Sequence, residues 1–526
     1  MSGPRLEQGQ VIPLVRRLAG APDPLALYAT LTDQGTRPDT LLLESADAAT
    51  GAGEKSILLP RTMLRLEGRG REVSLTPLSA NGRALVEFVV ESVAGTARAE
   101  RTGPNTTLLY PAPAPGERDE QTRLRAAGPL DVLRAAVLRP HLVSEPAPLA
   151  HLAAGDYGYH LEDLFERLPA PAADVLGFPD FVFWIPEQIL ILDHVNRSTT
   201  IIANVVGGSD AEASYHDAVR SVDQLTRTVE AARMLSHPLP PAPNGGAVTV
   251  DLDDAAYAGT VATLKRHIVA GDVFQIVPSR TWQTPCADPF AAYLRLRAAN
   301  PSPYMFYLRG PEATLFGASP ETAVQVQDRT VTVRPIAGTA PRGRHPDGTL
   351  DHELDARLQA ALITDTKELA EHMMLVDLAR NDVARVSRPG TRRVTRLLAV
   401  DRYQHVMHLV SEVIGSLAEG LDALHAYAAC LNMGTLVGAP KIRAAELLRE
   451  HEQTRRGPYG GAVGYLTSGG EMDTAIVIRS AYVAGGTAHV RAGGGVVLDS
   501  DPMKEAQETS RKARAVLQAI TGEVTG

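Results

Sequence analysis

Apolar and polar positions change period several times along the chain, and each change predicts an element. REVSLTPL and RALVEFVVESV, separated around Asn81-Gly82, read as a hairpin closed by a primed two-residue turn. QILILDHVNRSTTIIANVVG reads as a second hairpin with a longer polar tip. Apolar residues then recur at helical spacing in SYHDAVRSVDQLTRTVEAARML, DDAAYAGTVATLKRHIVAG and HELDARLQAALITDTKELAEHMMLVDLARND. Between and after these come strand patterns: ATLFGAS, TVTVRPI, DTAIVIRSAYV and TAHVRAGGGVVL. The strands cluster in runs instead of alternating with helices. That predicts an α+β fold with largely antiparallel sheets, not a parallel βαβ fold. No repeat of solenoid length is present.

Two Pro-rich stretches punctuate the pattern. PAPAPGERDE (111–120) predicts an exposed loop, and HPLPPAPNGGAVT (237–249) a boundary between residues 1–245 and 251–521. Hydrophobic residues make up 44% and charged residues 21% of the 526, as in ordinary globular enzymes. The net charge of −9 offers no basic field for nucleic acid or an anionic membrane, so an anionic substrate must be met by local groups. Cys286 and Cys430 are the only cysteines, which excludes a disulfide framework and a thiolate zinc site and fits a reducing compartment. The N-terminus lacks a signal-peptide core, and FVFWIPEQILILDHV is interrupted by Pro186, Glu187 and Asp193. A cytoplasmic protein is expected.

Candidate chemistry narrows the picture. GTLVGAPK lacks the Gly-Lys-Ser/Thr ending of a phosphate loop, and GPYGGAVGY lacks a dinucleotide fingerprint. Glu368 and Glu371 lie three apart in a helical pattern, and so do Glu505 and Glu508 behind an Asp501 N-cap and Pro502. Each pair suits a solvated helix face; two facing pairs would suit Mg²⁺. The glycines of RAGGGVVLDSDP permit close backbone approach to an anion, or form a bend. Arg479, among apolar residues of DTAIVIRSAYV, requires either a structural partner or an anionic ligand. His405 and His408 are expected on one helix face, as packing histidines or with one as a general base. Glu321, after Ser-Pro, suits a helix N-terminal carboxylate or a general acid.

Eight segments in order carry a resemblance: NPSPYMFYL, FGASPETAV, PIAGTAPRG, ELAEHMMLVDLARNDV, GTLVGAPKIRAAEL, GPYGGAVGY, DTAIVIRSA and AGGGVVLDSDPMKEAQETSRKA. Together they resemble the chorismate-utilising enzymes, in particular the branch that makes anthranilate with its large component. The resemblance implies a two-domain α/β/β/α arrangement with the active site between its sheets. The implied chemistry adds ammonia at C2 of chorismate, expels the 4-hydroxyl and eliminates pyruvate. By the same resemblance Glu371 and Glu508 ligate Mg²⁺, with Glu368 and Glu505 assisting. Tyr459, Arg479 and the amides of Gly493, Gly494 and Gly495 would hold the enolpyruvyl carboxylate, and Gly338 and Thr339 would line the ring site. Glu321 would protonate the leaving hydroxyl, and His408 is associated with pyruvate elimination; Thr339 stands with them as a catalytic candidate.

Two positions separate branches of the family. Where isochorismate and salicylate synthases place a water-activating lysine, this chain has Gln275; where aminodeoxychorismate synthases carry a lysine in PIKGT, it has Ala337. The resemblance also implies a tryptophan feedback site between LLLESAD and NPSPYMFY, formed by Ser45, Lys55, Pro303, Tyr304 and Met305. No cysteine occupies a glutamine-amidotransferase nucleophile elbow, so ammonia would come from solution or from a separate glutaminase subunit, component II. The alternatives are an aminodeoxyisochorismate synthase, which stops before pyruvate elimination, and a catalytically silent amino-acid-binding regulator.

Overall fold

The computed structural model describes residues 5–46, 55–112, 119–143, 147, 149–170, 173–243, 245–403 and 406–522. Asp47 of the LLLESAD segment, most of the 111–120 loop and His405 therefore lie outside the described residues. The fold is mixed α and β, with a very extensive antiparallel sheet system; among the described pairings of named strands, Gln10–Ala19 with His141–Leu142 is the parallel one. The hairpin expected at 188–207 is present, with Phe181–Asp193 paired to Ser198–Val206. Sheet pairing also crosses the 237–249 segment. Thr40–Glu44 pairs with Tyr304–Arg309, and Leu152–Tyr157 with Ala462–Thr467.

Three apolar layers explain the architecture. The middle one contains strand residues from both parts of the chain, including Leu41, Ile57, Trp184, Phe306 and Val463, so sheet packs on sheet there. On one outer side the helices Ala80–Val93, Thr366–Val386 and Ala423–Cys430 cover a sheet face. On the other, Ala211–Ala232, Pro289–Ala299 and Pro502–Thr521 do so. Helix, sheet, sheet, helix is the result.

Four local expectations are corrected. The segment expected as the second strand of a hairpin is the helix Ala80–Val93. Ser79 caps it by accepting from the Gly82 amide at 3.3 Å, and Leu85, Val86, Val89 and Val93 form its buried stripe. Asn81 is drawn into the core, where Nδ2 donates to Glu187 at 2.5 Å and Oδ1 accepts from the Val206 amide at 2.9 Å. Gly82 approaches the Met63 carbonyl so closely that a Cβ would lie 1.8 Å from it. The sequence RYQHVMHLVSEVIG forms a strand, Val406–Ser416, not a helix, because both Ile336–Pro341 and Arg393–Arg402 pair with it. The long helical pattern at 352–382 divides at Asp365, whose carboxylate accepts from the amides of Lys367 at 2.9 Å and Glu368 at 3.1 Å. The strand expected through DTAIVIRSAYV breaks into Met472–Ile476 and Ser480–Ala484, with Arg479 at φ 50° between them.

Candidate active site

A cavity of about 750 Å³ opens where the Thr366–Val386 and Pro502–Thr521 helices meet the ends of the central strands. Asp365 starts the first helix. Asp501 starts the second, accepting from the Lys504 amide at 2.9 Å, with Pro502 in the first turn. These caps set the rotation of each helix, and Glu368, Glu371, Glu505 and Glu508 all line the cavity. Two acidic pairs about 135 residues apart thus face one space.

Their electrostatics are those of crowded anions. Burial, then the charge of Glu368, raises the Glu371 carboxyl above its ordinary range, against a hydrogen bond from Gln275 Nε2 at 2.9 Å. Burial also raises Glu368 and Glu505, and the Glu508 charge adds to both shifts. Glu508 itself is pushed up by burial, but the Lys512 ammonium at 2.8 Å outweighs this and the net shift is downward. Among the described residues no three of these carboxylates bring oxygens within 4.8 Å of one another. The group that does so, His160, Glu162 and Asp163, already holds the Arg449 guanidinium.

A second wall of the cavity carries Tyr459, Arg479, Gly493 and Gly495, and it adjoins the carboxylates, since a Cβ on Gly495 would lie 3.7 Å from Glu371 Oε1. Burial lowers the Arg479 pKa, while Tyr459, Glu321 and Glu508 pull it back. Among the described residues its guanidinium has no hydrogen-bond or ion-pair partner, so its donors remain for an anion in the cavity. Gly494 differs from its neighbours. Its amide approaches Pro278 O and Tyr257 Oη, both at 3.3 Å, and it is absent from the lining. It supports the wall from behind, a correction to the expected row of three amides.

Behind Tyr459 lies a saturated ion network. Arg456, 1% exposed, donates to Glu452 through Nε at 2.8 Å and Nη2 at 2.7 Å, to Leu436 O at 2.7 Å and to Val277 O at 2.7 Å. Glu452 also binds Arg491 at 3.1 Å and accepts from Ser279 Oγ at 2.7 Å. Burial would raise Glu452, but the two guanidinium groups bring it net downward.

The proton-transfer candidates line the same cavity. Thr339 and His408 face each other across paired strands, with Thr339 Oγ1 2.8 Å from His408 Nδ1. Burial and then the Arg479 charge depress His408 to about 4, which keeps the imidazole neutral at neutral pH. Burial pushes Glu321 up to about 7, against a hydrogen bond from Thr435 Oγ1 at 3.1 Å. Glu321 lies between two strands, not at a helix N-terminus. The PIAGTAPRG segment is largely the strand Ile336–Pro341. Gly338 adopts φ 88° there, and a Cβ would crowd Leu409 at 3.0 Å. Ala337 lines the cavity, and its carbonyl accepts from His372 Nδ1 at 3.0 Å.

The residues expected to bind a regulator also converge. Ser45 donates its amide to Lys55 O at 3.1 Å, and Met305 pairs with Glu44. The Ser45 hydroxyl is buried and has no hydrogen-bond partner among the described residues. Tyr304 Oη lies 3.1 Å from Asp473 Oδ1 and 3.0 Å from Thr322 Oγ1. Pro303 lines the large cavity, whereas the other four do not.

Sequence reasoning missed Lys512 and Thr435. Lys512 Nζ donates to Gly493 O at 3.0 Å and pairs with Glu508, joining the two walls. Its spacing of four from Glu508 on one helix was a readable signal. Thr435 lies in the segment set aside for failing as a phosphate loop.

Comparison with known proteins is consistent with this geometry. The family model described as chorismate binding enzyme matches residues 97–518. Anthranilate synthase component 1 of Vibrio cholerae is 47% identical over 502 residues, 95% of this chain and 94% of that protein. The pyocyanine-specific anthranilate synthase component 1 of Pseudomonas aeruginosa is 48% identical over 482 residues, covering 91% and 89%. Among solved structures, anthranilate synthase component I from Streptococcus pneumoniae superposes with TM-score 0.68 at 28% identity, covering 88% of this chain and 92% of that one. The menaquinone-specific isochorismate synthase of Escherichia coli shares the fold at TM-score 0.63 and 19% identity, covering 97% and 96%.

Proposed function

The chain belongs to the chorismate binding enzymes, and from that premise we propose that it forms anthranilate from chorismate as the large component of an anthranilate synthase. The observation that carries the reading is one cavity lined both by four carboxylates and by a guanidinium that has no partner among the described residues. Full-length identity to anthranilate synthase components supports it.

Chorismate brings two carboxylates. The enolpyruvyl carboxylate goes to Arg479 and Tyr459, with the amides of Gly493 and Gly495 beside them. The ring carboxylate faces the acidic wall, which repels it unless a cation intervenes. The donor set fits magnesium: hard carboxylate oxygens, several held above their ordinary pKa by burial and neighbouring negative charge. Glu371 and Glu508 would hold the ion, with Glu368 and Glu505 beside them. When bound, Mg²⁺ supplies charge stabilisation at the ring carboxylate as the 4-hydroxyl departs.

Ammonia adds at C2, and the 4-hydroxyl leaves as water with the proton that Glu321 supplies. An acid near 7 is protonated often enough at neutral pH to donate and basic enough to be reset. Neutral His408, oriented by Thr339, is placed to take a proton as pyruvate leaves. Gln275 at the family's lysine position and Ala337 in the cavity wall leave no amine at either point to activate water or attack the ring. Free ammonium, or a separate glutamine amidotransferase subunit, would supply the nitrogen. Tryptophan would bind around Ser45, Lys55, Pro303, Tyr304 and Met305 and weaken chorismate binding.

The test incubates the protein with chorismate, Mg²⁺ and ammonium, following anthranilate fluorescence and pyruvate. Both products together support the reading. An aminated product that retains the pyruvyl group would place the chain among aminodeoxyisochorismate synthases, and no turnover would reject catalysis. Equal chorismate affinity with and without saturating tryptophan would reject the regulatory site.

A further inference from the structure

Arg280 touches none of the groups assigned above, yet it is buried at 1% exposure and more fully bonded than the reaction alone explains. It lies on the strand Ser279–Pro285, one residue beyond the Ser279–Gly493 pair. Its guanidinium is flanked by the rings of Tyr257 at 5.0 Å and Trp282 at 4.8 Å. Three of its contacts go to a single turn of the Pro502–Thr521 helix: Nε to Thr509 Oγ1 at 2.9 Å, and Nη2 to Ala506 O at 2.7 Å and Ser510 Oγ at 3.0 Å. Two more tie it to the start of another helix, at Leu252 O (2.9 Å) and Asp254 Oδ1 (2.6 Å).

That gripped turn is the one that carries Glu505 and Glu508. At 100° per residue, positions 506, 509 and 510 lie about a third of a turn around the helix from the two glutamates. Tyr257, stacked on Arg280, also reaches the glycine wall, where its hydroxyl meets Pro278 O at 2.8 Å and the Gly494 amide at 3.3 Å. We propose that Arg280 is a positioning residue that fixes the roll and axial register of this helix against the glycine wall, and so fixes where Glu505 and Glu508 project. A roll of about 20° would move a carboxylate about 6–7 Å from the helix axis by roughly 2 Å. Cation ligands tolerate only about 0.2 Å. Arginine suits the task because its planar fork holds several acceptors in fixed directions, which lysine does not.

The inference rests on the reading that Glu508 helps to hold a divalent cation, so the test separates the two. Mn²⁺ stands in for Mg²⁺, and its binding to the full chain is measured directly from the free-ion EPR signal, without turnover. Arg280→Lys keeps the charge and loses the fork; it should weaken Mn²⁺ binding by about 10- to 100-fold, the range for groups that orient metal ligands. Thr509→Val removes one acceptor with little change of shape and should weaken binding in the same direction by a smaller factor. Glu508→Gln is the control and should weaken it most. If Glu508→Gln weakens binding while Arg280→Lys and Thr509→Val bind within twofold of the parent, the positioning role is overturned and the metal reading stands. Should Arg280→Lys fail to fold, Thr509→Val decides alone. If Glu508→Gln binds Mn²⁺ as the parent does, the metal reading falls and the inference falls with it.

Discussion

Arg456 and Arg479 both lie near Tyr459, and they use the same functional group in opposite ways. Arg456 is surrounded by Glu452, two backbone carbonyls and an aromatic face 4.4 Å away, and each of its guanidinium nitrogens has an acceptor. Arg479 is less deeply buried, and among the described residues its guanidinium has no acceptor. Their acids differ in the same sense. Glu452 is net lowered by two guanidinium groups, whereas Glu321 is lifted to about 7 with one hydroxyl donor. Where the protein completes the hydrogen bonding, the charge holds structure. Where it leaves the bonding incomplete, the cost of burial is recovered only when a ligand arrives.

The contrast breaks most visibly at the acidic wall. Glu508→Gln, or removal of divalent ions by a chelator, is expected to lower kcat/KM about a thousandfold or more, since cation assistance is worth several kcal/mol. The thermal midpoint of Glu508→Gln should change little, and activity within tenfold of the parent would refute the assignment. Arg456→Met removes one of the two guanidinium partners of buried Glu452, leaving Arg491, and should destabilise the fold by about 3 kcal/mol in denaturant unfolding. A loss below 1 kcal/mol would remove the distinction drawn between the two arginines. Arg479→Met should behave oppositely: stability kept or raised, and chorismate KM increased by an amount equivalent to about 2–3 kcal/mol. A destabilised variant with unchanged KM would make Arg479 a structural residue.

The smallest effects come from pH. Because Glu321 titrates near 7, the rate should fall as pH rises through that value, and Glu321→Gln should lose that limb of the profile. A carboxyl raised above its ordinary 4.5 contributes stability in its protonated form, present below 4.5 and lost as pH rises through about 7. Glu321→Gln should therefore be relatively more stable than the parent above pH 7. His408 has the reverse sign. Its folded value of about 4 lies below the ordinary 6.5, so its contribution is full above 6.5 and fades as pH falls toward 4. A His408→Asn variant whose stability falls over that interval as steeply as the parent's would contradict the buried, neutral imidazole.

Much of this molecule is readable along the chain. The order of motifs, the two acidic pairs at i and i+3, the Asp501 cap and the antiparallel character all follow from local spacing. Short-range rules misled at Asn81-Gly82, where a turn signal beside alternating valines lies inside a helix. The reason is distant: Asn81 bonds to Glu187 and Val206, more than a hundred residues away in sequence. The segment around His405 and His408 read as a helix, and pairing of Val406–Ser416 with three other strands overrode that reading. Only the tertiary structure brought Glu368 and Glu371 to the same cavity as Glu505 and Glu508, left Arg479 without an acceptor and withdrew Gly494 behind the wall. Residue type and periodicity are properties of neighbours in the chain. Burial, mutual repulsion and incomplete hydrogen bonding are properties of neighbours in space, and those determine which of these charged groups are left to act on a ligand.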